Sequence, residues 1–322
     1  MRTNSTLFVL TSLLAACGGG GGSGGDDTGS DAAPAKDIGF NKPTKILKAN
    51  HEEPVDSDMW FELGNADLTC LNTPNADVAL TEALTVSGDI KDFQSKNPNP
   101  GVKVTAYADQ NADQPFDATG ATSDQEAKFM LSIPAGTKRF GYKMVDREDS
   151  LDTLLLNQYV LPTERTSPHA VSDVQIVSTA TATTLPALIG TSRTTGTGIL
   201  AGAVRDCQHR EISNFVATVS STPATFDSKP ESAVTHLDGV DTYYFSAAVG
   251  LPVRHSQQDF SNKDGLFMAI EMQPNPVAYV QVWGYITEAD LAADTLSLIA
   301  QLKTSVIADT VITGSYEPLR SN

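Results

Sequence analysis

The segment from residue 86 to residue 133 decides the fold class. It contains Val86-Ser-Gly-Asp-Ile90, then Pro100-Gly101 leading into Val102-Lys-Val-Thr-Ala-Tyr107, and then Phe129-Met-Leu-Ser-Ile133. Apolar and polar residues alternate with a period of two in the last two stretches, as a half-buried strand requires. Several short strands with turn residues between them are typical of a β-sandwich rather than a βαβ fold.

The same order of segments recurs after residue 196, so the chain contains two copies of one pattern. The second copy consists of Ile199-Leu-Ala-Gly-Ala-Val-Arg-Asp206, Phe215-Val-Ala-Thr-Val219, Leu266-Phe-Met-Ala-Ile270 and Tyr279-Val-Gln-Val-Trp283. The spacing from the glycine to the phenylalanine of the pattern is about 24 residues longer in this copy than in the first. We assign much of this insertion to an added strand and loop from Tyr243 to Pro252.

These segments resemble a known family. The pattern is V-x-G-x-x-x-D, then P-G-V-x-V, then a Thr-x-Asp or Asp-Gly turn, an aromatic strand and Pro-Ala-Gly. It is similar to the carboxypeptidase regulatory-like, or transthyretin-like, domain, over residues 86–145 and more loosely over 199–285. The resemblance implies a seven-stranded sandwich that serves as a structural or binding module, and it implies no catalytic residues. The first copy departs from the pattern at Asp124-Gln125, and the second at Ser213-Asn214.

The predicted fold class is therefore all-β. We expect two tandem transthyretin-like or Ig-like sandwiches with one or two accessory helices, after a disordered Gly-rich tether. The predicted domains are a signal peptide (1–16), a lipidated tether (17–36), an irregular lead-in (37–77), a first sandwich with a trailing helix (78–190) and a second sandwich with a C-terminal helix and strand (191–322).

Two segments are predicted to be helical. The first is 172–189, whose Thr and Val content gives it poor helix propensity. The second begins at a capping box, Thr287 with Asp290. Apolar residues after that box fit one helix face; they are Leu291, Leu298, Ile299 and Leu302. A final strand is predicted from Val306 to Ile312.

The N-terminus has the layout of an export signal. An apolar run from Leu7 to Leu14 follows Arg2 and ends in Leu14-Ala-Ala-Cys17. This ending resembles the lipobox of bacterial lipoproteins, a family in which the cysteine, here Cys17, is lipidated. A plain cleaved signal and a short transmembrane anchor are the alternatives. The apolar run is too short for a transmembrane anchor, because a helix that spans the bilayer needs about 20 residues. We expect an exported protein, lipid-anchored to the bacterial cell envelope at the outer membrane, with the membrane as its partner through the anchor.

The charge balance bears on partners. The chain has 22 Lys and Arg against 39 Asp and Glu, for a formal net charge of −17. No basic patch is visible, so nucleic acid and anionic lipid head groups are not expected partners. A protein or a polysaccharide partner remains open, and the simplest role of the charge is solubility outside the cell.

Three cysteines leave an even number if Cys17 is acylated. Cys70 and Cys207 are then candidates for one disulfide, as is common in exported proteins. The alternative is two buried, inert thiols. Cys207 and His209 are also the one thiol and imidazole that lie close together in the sequence. A zinc site would need two further ligands, and no neighbouring pair of residues offers them.

A loop rich in acidic residues is the best candidate metal site. Its oxygen side chains are Asp109, Asn111, Asp113 and Asp117, at positions that resemble the start of an EF-hand loop. Gln114 and Gly120 stand where that loop needs glycine and glutamate. Calcium is therefore the one candidate cofactor, and a solvated turn rich in Asp and Asn is the alternative.

Aromatic residues of the insertion are the candidate ligand-binding residues. Tyr243, Tyr244 and Phe245 are candidates for a platform that stacks on a sugar ring, and a core position is the alternative. No G-x-S-x-G nucleophile motif is present. We expect a non-enzymatic surface module that acts in envelope structure, adhesion or protein assembly. A carbohydrate-binding module is the alternative function, and a hydrolase the third.

Overall fold

The computed structural model describes residues 42–54, 59–108, 112–146, 150–170, 174–230 and 242–321. These residues belong to one compact unit, 37–322. The predictions for the signal peptide, the tether and Cys17 lie outside the described residues. Within the described ranges, no helix combines the length and the hydropathy needed to cross a membrane.

Strands make up most of the regular secondary structure of the unit, which confirms the predicted all-β sandwich class. The first half contains β1 (Lys48–Glu52), β2 (Trp60–Asn65), β3 (Leu84–Asp92), β4 (Lys103–Ala108), β5 (Ala121–Thr122), β6 (Lys128–Ile133), β7 (Phe140–Val145), β8 (Ser150–Gln158), β9 (His169–Ala170) and β10 (Val174–Ser178). The second half contains β11 (Gly198–Val204), β12 (Ile212–Ser213), β13 (Phe215–Ser220), β14 (Thr242–Ser246), β15 (Leu251–Pro252), β16 (Leu266–Met272), β17 (Asn275–Gly284), β18 (Ser297–Val306) and β19 (Thr310–Tyr316). The α-helices with given bounds among the described residues are α1 (Thr179–Leu188) and α2 (Glu288–Ala292), and a 3-10 helix spans Pro162–Glu164.

The predicted strands of both copies are confirmed. In the first copy the pattern segments form β3, β4, β6 and β7, and in the second they form β11, β13, β16 and β17. The segment from Tyr243 to Pro252, predicted as an added strand and loop, lies in two strands, β14 and β15. The insertion therefore adds two strands to the edge of a sheet instead of forming a separate lobe.

One large sheet runs through both copies. Its main path is β15-β14-β16-β11-β19-β8-β10-β3-β6. The junction is β8, which pairs in parallel with β19 of the second copy and antiparallel with β7 and β10 of the first. A second sheet, β13-β17-β18, faces the large sheet, and a third, β12-β1-β2, contains the lead-in.

The main core lies between the large sheet and the β13-β17-β18 sheet. Alternate residues of each strand point into it, and its members include Leu200, Val204, Phe267, Ile312, Tyr316, Val280, Val282 and Ile299. The first copy has its own core, which includes Val86, Ile90, Val104, Phe129 and Tyr142. The large sheet thus joins two separately packed cores.

The helix predictions need two corrections. The capping box forms, since Thr287 accepts from the Asp290 N–H and the Asp290 carboxylate accepts from the Thr287 N–H. The helix ends at Ala292, however, and the predicted continuation through Leu298, Ile299 and Leu302 is wrong. These residues lie in β18, which pairs along its length with β17, and this pairing overrides a spacing that also fits a helix.

The other predicted helix is shorter than expected. Of 172–189, residues 174–178 form β10 and only Thr179–Leu188 form α1. Ser178 caps α1, because its hydroxyl accepts from the Thr181 N–H at 3.1 Å. The predicted final strand is also displaced, since β19 begins at Thr310 and continues to Tyr316.

Candidate functional site

The outer face of the large sheet carries an open depression, which we call the trough. Residues that alternate with the core residues of β11 and β19 form its floor. From one end to the other these are Ile199, Ala201 and Ala203 on β11 and Val311, Thr313 and Ser315 on β19. Leu155 of β8 and Leu266 and Met268 of β16 widen the floor on either side.

Small side chains in the middle of the floor create the depression. Ala201, Ala203 and Thr313 are only partly buried, and larger side chains stand at both ends. Leu185 of α1, Phe93 and Phe245 lie at one end, and Glu52 and Trp60 of the β1–β2 hairpin lie at the other. The cavity has a volume of about 500 Å³, within the range of small-molecule sites, about 300–1,000 Å³.

Polarity changes along the trough. Arg205 follows Ala203 on the same face of β11, and its Nε donates to Glu211 at 3.0 Å. Neither Nη nitrogen of Arg205 has a hydrogen-bond partner among the described residues. Ser315, 9% exposed, has a buried hydroxyl that also lacks a partner within the described ranges. The trough therefore runs from an apolar end to an end with unused hydrogen-bond donors.

The hairpin beside the trough exposes apolar side chains. Phe61 and Leu63 of β2 are each 53% exposed, and Met59 is 51% exposed. They alternate along the strand, so they share one side of it. Among the described residues β2 pairs only with β1, which leaves its other edge open.

The backbone of β2 has polar groups directed at that open edge. The Asn50 N–H donates to the Glu211 carbonyl at 2.8 Å, towards β12, and Asn50 pairs with Glu62 across β1 and β2. In an antiparallel ladder, two residues that face each other without exchanging hydrogen bonds direct their N–H and C=O groups away from each other. Asn50 and Glu62 form such a pair, so the N–H and C=O groups of Glu62 point to the open edge of β2. The Trp60 carbonyl, two residues earlier, accepts from Lys263 Nζ at 3.3 Å on the same edge.

A disulfide fixes the lead-in to the second copy. Cys70 and Cys207 are bonded, with their Cα atoms 5.8 Å apart and 137 residues between them in sequence. Next to the bridge, the buried carboxylate of Asp206 accepts from the backbone N–H groups of Asp67, Gln208 and Arg210 and from the Arg210 guanidinium. This arrangement holds the chain that follows the β1–β2 hairpin.

A second polar cluster ties the first copy to the C-terminus. Arg139 donates to Asp77 at 2.5 Å and to Glu317 at 2.6 Å, and His209 Nδ1 lies 3.6 Å from Glu317. Burial alone would raise the pKa of Glu317, but His209 and Arg139 outweigh it and lower the pKa to about 2. The Glu317 carboxylate in turn raises the pKa of His209. These ionisable groups are paired with one another and not directed at the trough.

The calcium prediction is only partly covered by the structure. Asp109 and Asn111 lie outside the described residues. Asp113 and Asp117 are exposed, and Asp117 accepts from the Thr119 N–H at 2.8 Å, which is a turn contact. The described ranges hold no group of three His, Cys, Asp or Glu residues arranged to ligate a metal. Calcium at this loop stays a prediction.

The three aromatic candidates do not form one exposed surface. Tyr244 is 1% exposed in the main core, where its hydroxyl accepts from the Ala217 N–H at 2.9 Å. Phe245, 3% exposed, covers one end of the trough, and Tyr243 stacks on His255 at 4.6 Å between ring centres. A sugar platform needs an exposed ring face, and Tyr244 and Phe245 do not present one.

Sequence reasoning missed Arg205, Ser315 and the small floor residues. In the sequence, Arg205 is simply the polar residue before Asp206, the aspartate of the repeated pattern. Its immediate neighbours do not indicate that it lies on an open face of a sheet. The signal that could have found the trough is the row of small residues at alternate positions, Ala201 and Ala203.

Comparison with known proteins adds little about function. No protein-family model matches the chain, and no curated protein matches it either. Among solved structures, the shaft pilin spaA from Lactobacillus rhamnosus GG has 9% sequence identity and a TM-score of 0.21, covering 75% of this chain and 98% of the pilin.

Two other solved structures show the same level of similarity. A streptococcal ancillary pilin has 11% identity and a TM-score of 0.22, covering 74% of this chain and 70% of that one. The 3-chlorocatechol 1,2-dioxygenase from Rhodococcus opacus 1CP has 14% identity and a TM-score of 0.21, covering 40% of this chain and 72% of the enzyme.

Proposed function

We propose that the protein is a non-enzymatic, lipid-anchored module of the bacterial cell envelope. Built from two carboxypeptidase regulatory-like copies, it acts in surface structure, adhesion or protein assembly. The observation that carries the proposal is the edge of β2 that pairs with no other strand of the described residues, where Phe61 and Leu63 are exposed. An exposed apolar edge strand is a template for pairing with another chain.

The chemistry of this edge selects one kind of occupant. Unused backbone donors and acceptors on a strand are complemented by an extended peptide, which adds as a further strand. The chain carries a net charge of −17, and Glu52, Glu53 and Glu62 lie on the hairpin, so a second copy of this chain would be repelled. The occupant is therefore an extended segment of another protein, with alternating apolar and basic side chains.

A peptide of defined chemistry tests this proposal. The probe is an end-blocked peptide of alternating valine and lysine, titrated into the full chain carrying Cys17→Ala. We expect saturable binding that the double variant Phe61→Ser/Leu63→Ser weakens by about tenfold or more, because interface anchors carry most of the binding energy. The matched control is Met130→Ser on β6, an edge strand of the first copy, where Met130 is 58% exposed.

The backbone contribution has its own control. The same peptide with every second amide N-methylated keeps its side chains but cannot pair along a strand, and we expect it not to bind. Equal binding of the two peptides, or equal loss in Met130→Ser, would contradict strand addition at β2.

The anchor is tested separately in cells. Metabolic labelling with an alkyne fatty acid should label the wild-type chain, and Cys17→Ala should abolish the label and release the protein from the membrane fraction. A labelled Cys17→Ala chain would show that another residue carries the acyl group.

A further inference from the structure

We propose that the trough binds a neutral amphiphile, with an aliphatic chain on the apolar floor and an uncharged carbonyl head, an ester or amide, at Ser315 and Arg205. This ligand and site go beyond the assembly function proposed above, because the trough lies on the sheet face and not on the edge of β2. The inference rests on the shape of the floor, the unused donors and the charges around them.

The floor fits an aliphatic chain. From Ile199 to Arg205, the residue just after β11, the trough spans seven residues and about 20 Å of extended chain. Ala201 and Ala203 leave room above the backbone, and the wall residues at the far end, Leu185 and Phe245, are apolar. An apolar surface of this length excludes water when a flexible hydrocarbon chain covers it.

The head position is set by two groups with unused hydrogen-bonding capacity. The Ser315 hydroxyl is buried and has no protein partner in the described part of the chain, so its hydrogen bond is available to a ligand. Ala203 pairs with Ser315 across β11 and β19, and the Arg205 N–H bonds to the next residue, Tyr316. Ser315 and Arg205 therefore lie close together at the same end, and both can donate to one carbonyl oxygen.

The charges at this end favour a neutral head. Glu211 already pairs with Arg205, and Glu52 lies on the rim. The positive charge of Arg205 is thus balanced by the Glu211 carboxylate, so an anionic head gains little there. A cationic head would face the Arg205 guanidinium, whose donors require an acceptor. An ester or amide carbonyl accepts hydrogen bonds without adding charge.

The test is a titration of N-methyldodecanamide into the full chain carrying Cys17→Ala, so that no acyl chain of the protein itself competes. We expect one binding site per chain and weaker binding of dodecanoate, its anionic counterpart. Ala203→Phe fills the trough and should weaken binding by about tenfold or more. Ala292→Phe, at an exposed position on α2, makes the same change elsewhere and should have no effect.

The head is tested by Ser315→Ala. This variant should weaken N-methyldodecanamide by about threefold to tenfold, yet raise the melting temperature of the free protein, because an unpartnered buried hydroxyl is removed. A purely structural role for the hydroxyl would lower the melting temperature instead. Ser132→Ala, exposed on β6, is the matched control.

Three results would overturn the proposal. They are the absence of saturable binding, undiminished binding in Ala203→Phe, and binding of dodecanoate as tight as that of the amide. Near-UV circular dichroism checks each variant for folding, and Thr313→Phe blocks the same space if Ala203→Phe does not fold. Because the strand-addition test uses a different probe and different residues, failure of either proposal leaves the other testable.

Discussion

The two copies of the pattern place an aspartate at the same position and use it to hold different segments. In the first copy, Asp92 accepts from the N–H groups of Ser95 and Ser178 and from the Thr181 hydroxyl, so it fixes the start of α1. In the second copy, Asp206 accepts from the Asp67 N–H and the Arg210 guanidinium, so it fixes the lead-in. Both aspartates are buried.

Because the two aspartates hold different segments, different elements lie at the two ends of the trough. The first aspartate holds α1, whose Leu185 lies at the apolar end, and the second holds the chain after the β1–β2 hairpin, whose Trp60 lies at the other end. Burial raises the pKa of Asp92, but the hydrogen bonds from Ser95 and Ser178 outweigh it and leave the pKa lowered. The pattern aspartates are therefore structural, and the surface they frame is the candidate site.

The largest difference between the copies is the disulfide, which only the second copy has among the described residues. Replacing both cysteines, Cys70→Ser with Cys207→Ser, should lower the free energy of unfolding by about 4 kcal/mol, because a loop of this length loses much unfolded-state entropy when it is closed. Urea denaturation of the oxidised proteins measures the change. Reduced wild-type protein should match the variant, and a change below about 1 kcal/mol would contradict the account.

The two aspartates should differ in their energetic contribution. Asp206→Ala leaves a guanidinium and several N–H groups without an acceptor and should cost about 3 kcal/mol. Asp92→Ala removes an acceptor for neutral donors only and should cost about 2 kcal/mol. Asp124→Ala, an exposed turn residue, is the control. Urea denaturation measures the loss of unfolding free energy in each variant. Equal losses in all three would show that the buried aspartates contribute no more to stability than an exposed one.

The turns before β6 and β16 offer a subtler comparison. Gly265 has φ +65°, and a Cβ there would lie 3.0 Å from the Val204 carbonyl oxygen. Ala127 has φ 63° in the matching turn of the first copy. Gly265→Ala should cost about 2 kcal/mol, whereas Ala127→Gly should change stability by less than about 1 kcal/mol, because relieved strain offsets lost burial. Thermal unfolding of both variants decides whether the turns are equivalent.

The smallest effect is the loss of stability that His209 causes above neutral pH, and it belongs to a pair of groups with opposite pH dependence. Glu317, with its pKa lowered to about 2 from 4.5, adds stability above the unfolded pKa that is lost as the pH falls from 4.5 towards 2. His209, with its pKa raised above 6.5, adds stability below pH 6.5 that is lost as the pH rises through its folded pKa. Stability from this pair is therefore greatest between pH 4.5 and 6.5.

The measurement is the melting temperature from pH 6 to pH 9, in the wild type and in His209→Gln. The wild type should lose a little stability across this range, and the variant should lose less. A variant that follows the wild-type curve would show that His209 does not couple to Glu317.

The local features of the fold could be predicted from the sequence, and the site could not. The strands at Val86, Val102, Ile199 and Phe215 follow from period-two alternation between turn residues, and the capping box at Thr287 follows from local chemistry. Leu298, Ile299 and Leu302 were wrongly assigned to a helix, because their spacing fits a helix as well as a strand. Only the pairing of β18 with β17 makes this segment a strand. The trough depends on parallel pairing of β8, β19 and β11, which are far apart in the chain. No local signal in the sequence specifies that pairing.

The central claim is that the trough, whose floor comes mainly from strands β11, β16 and β19 of the second copy, carries the binding surface. Methyl NMR of the full chain carrying Cys17→Ala, labelled at alanine and methionine and titrated with N-methyldodecanamide, compares the two copies in one experiment. We predict saturable shifts for the methyl groups of Ala201, Ala203 and Met268, with Met130 and Met144 of the first copy unchanged. Shifts confined to Met130 or Met144, or no saturable shift at Met268, would contradict the claim.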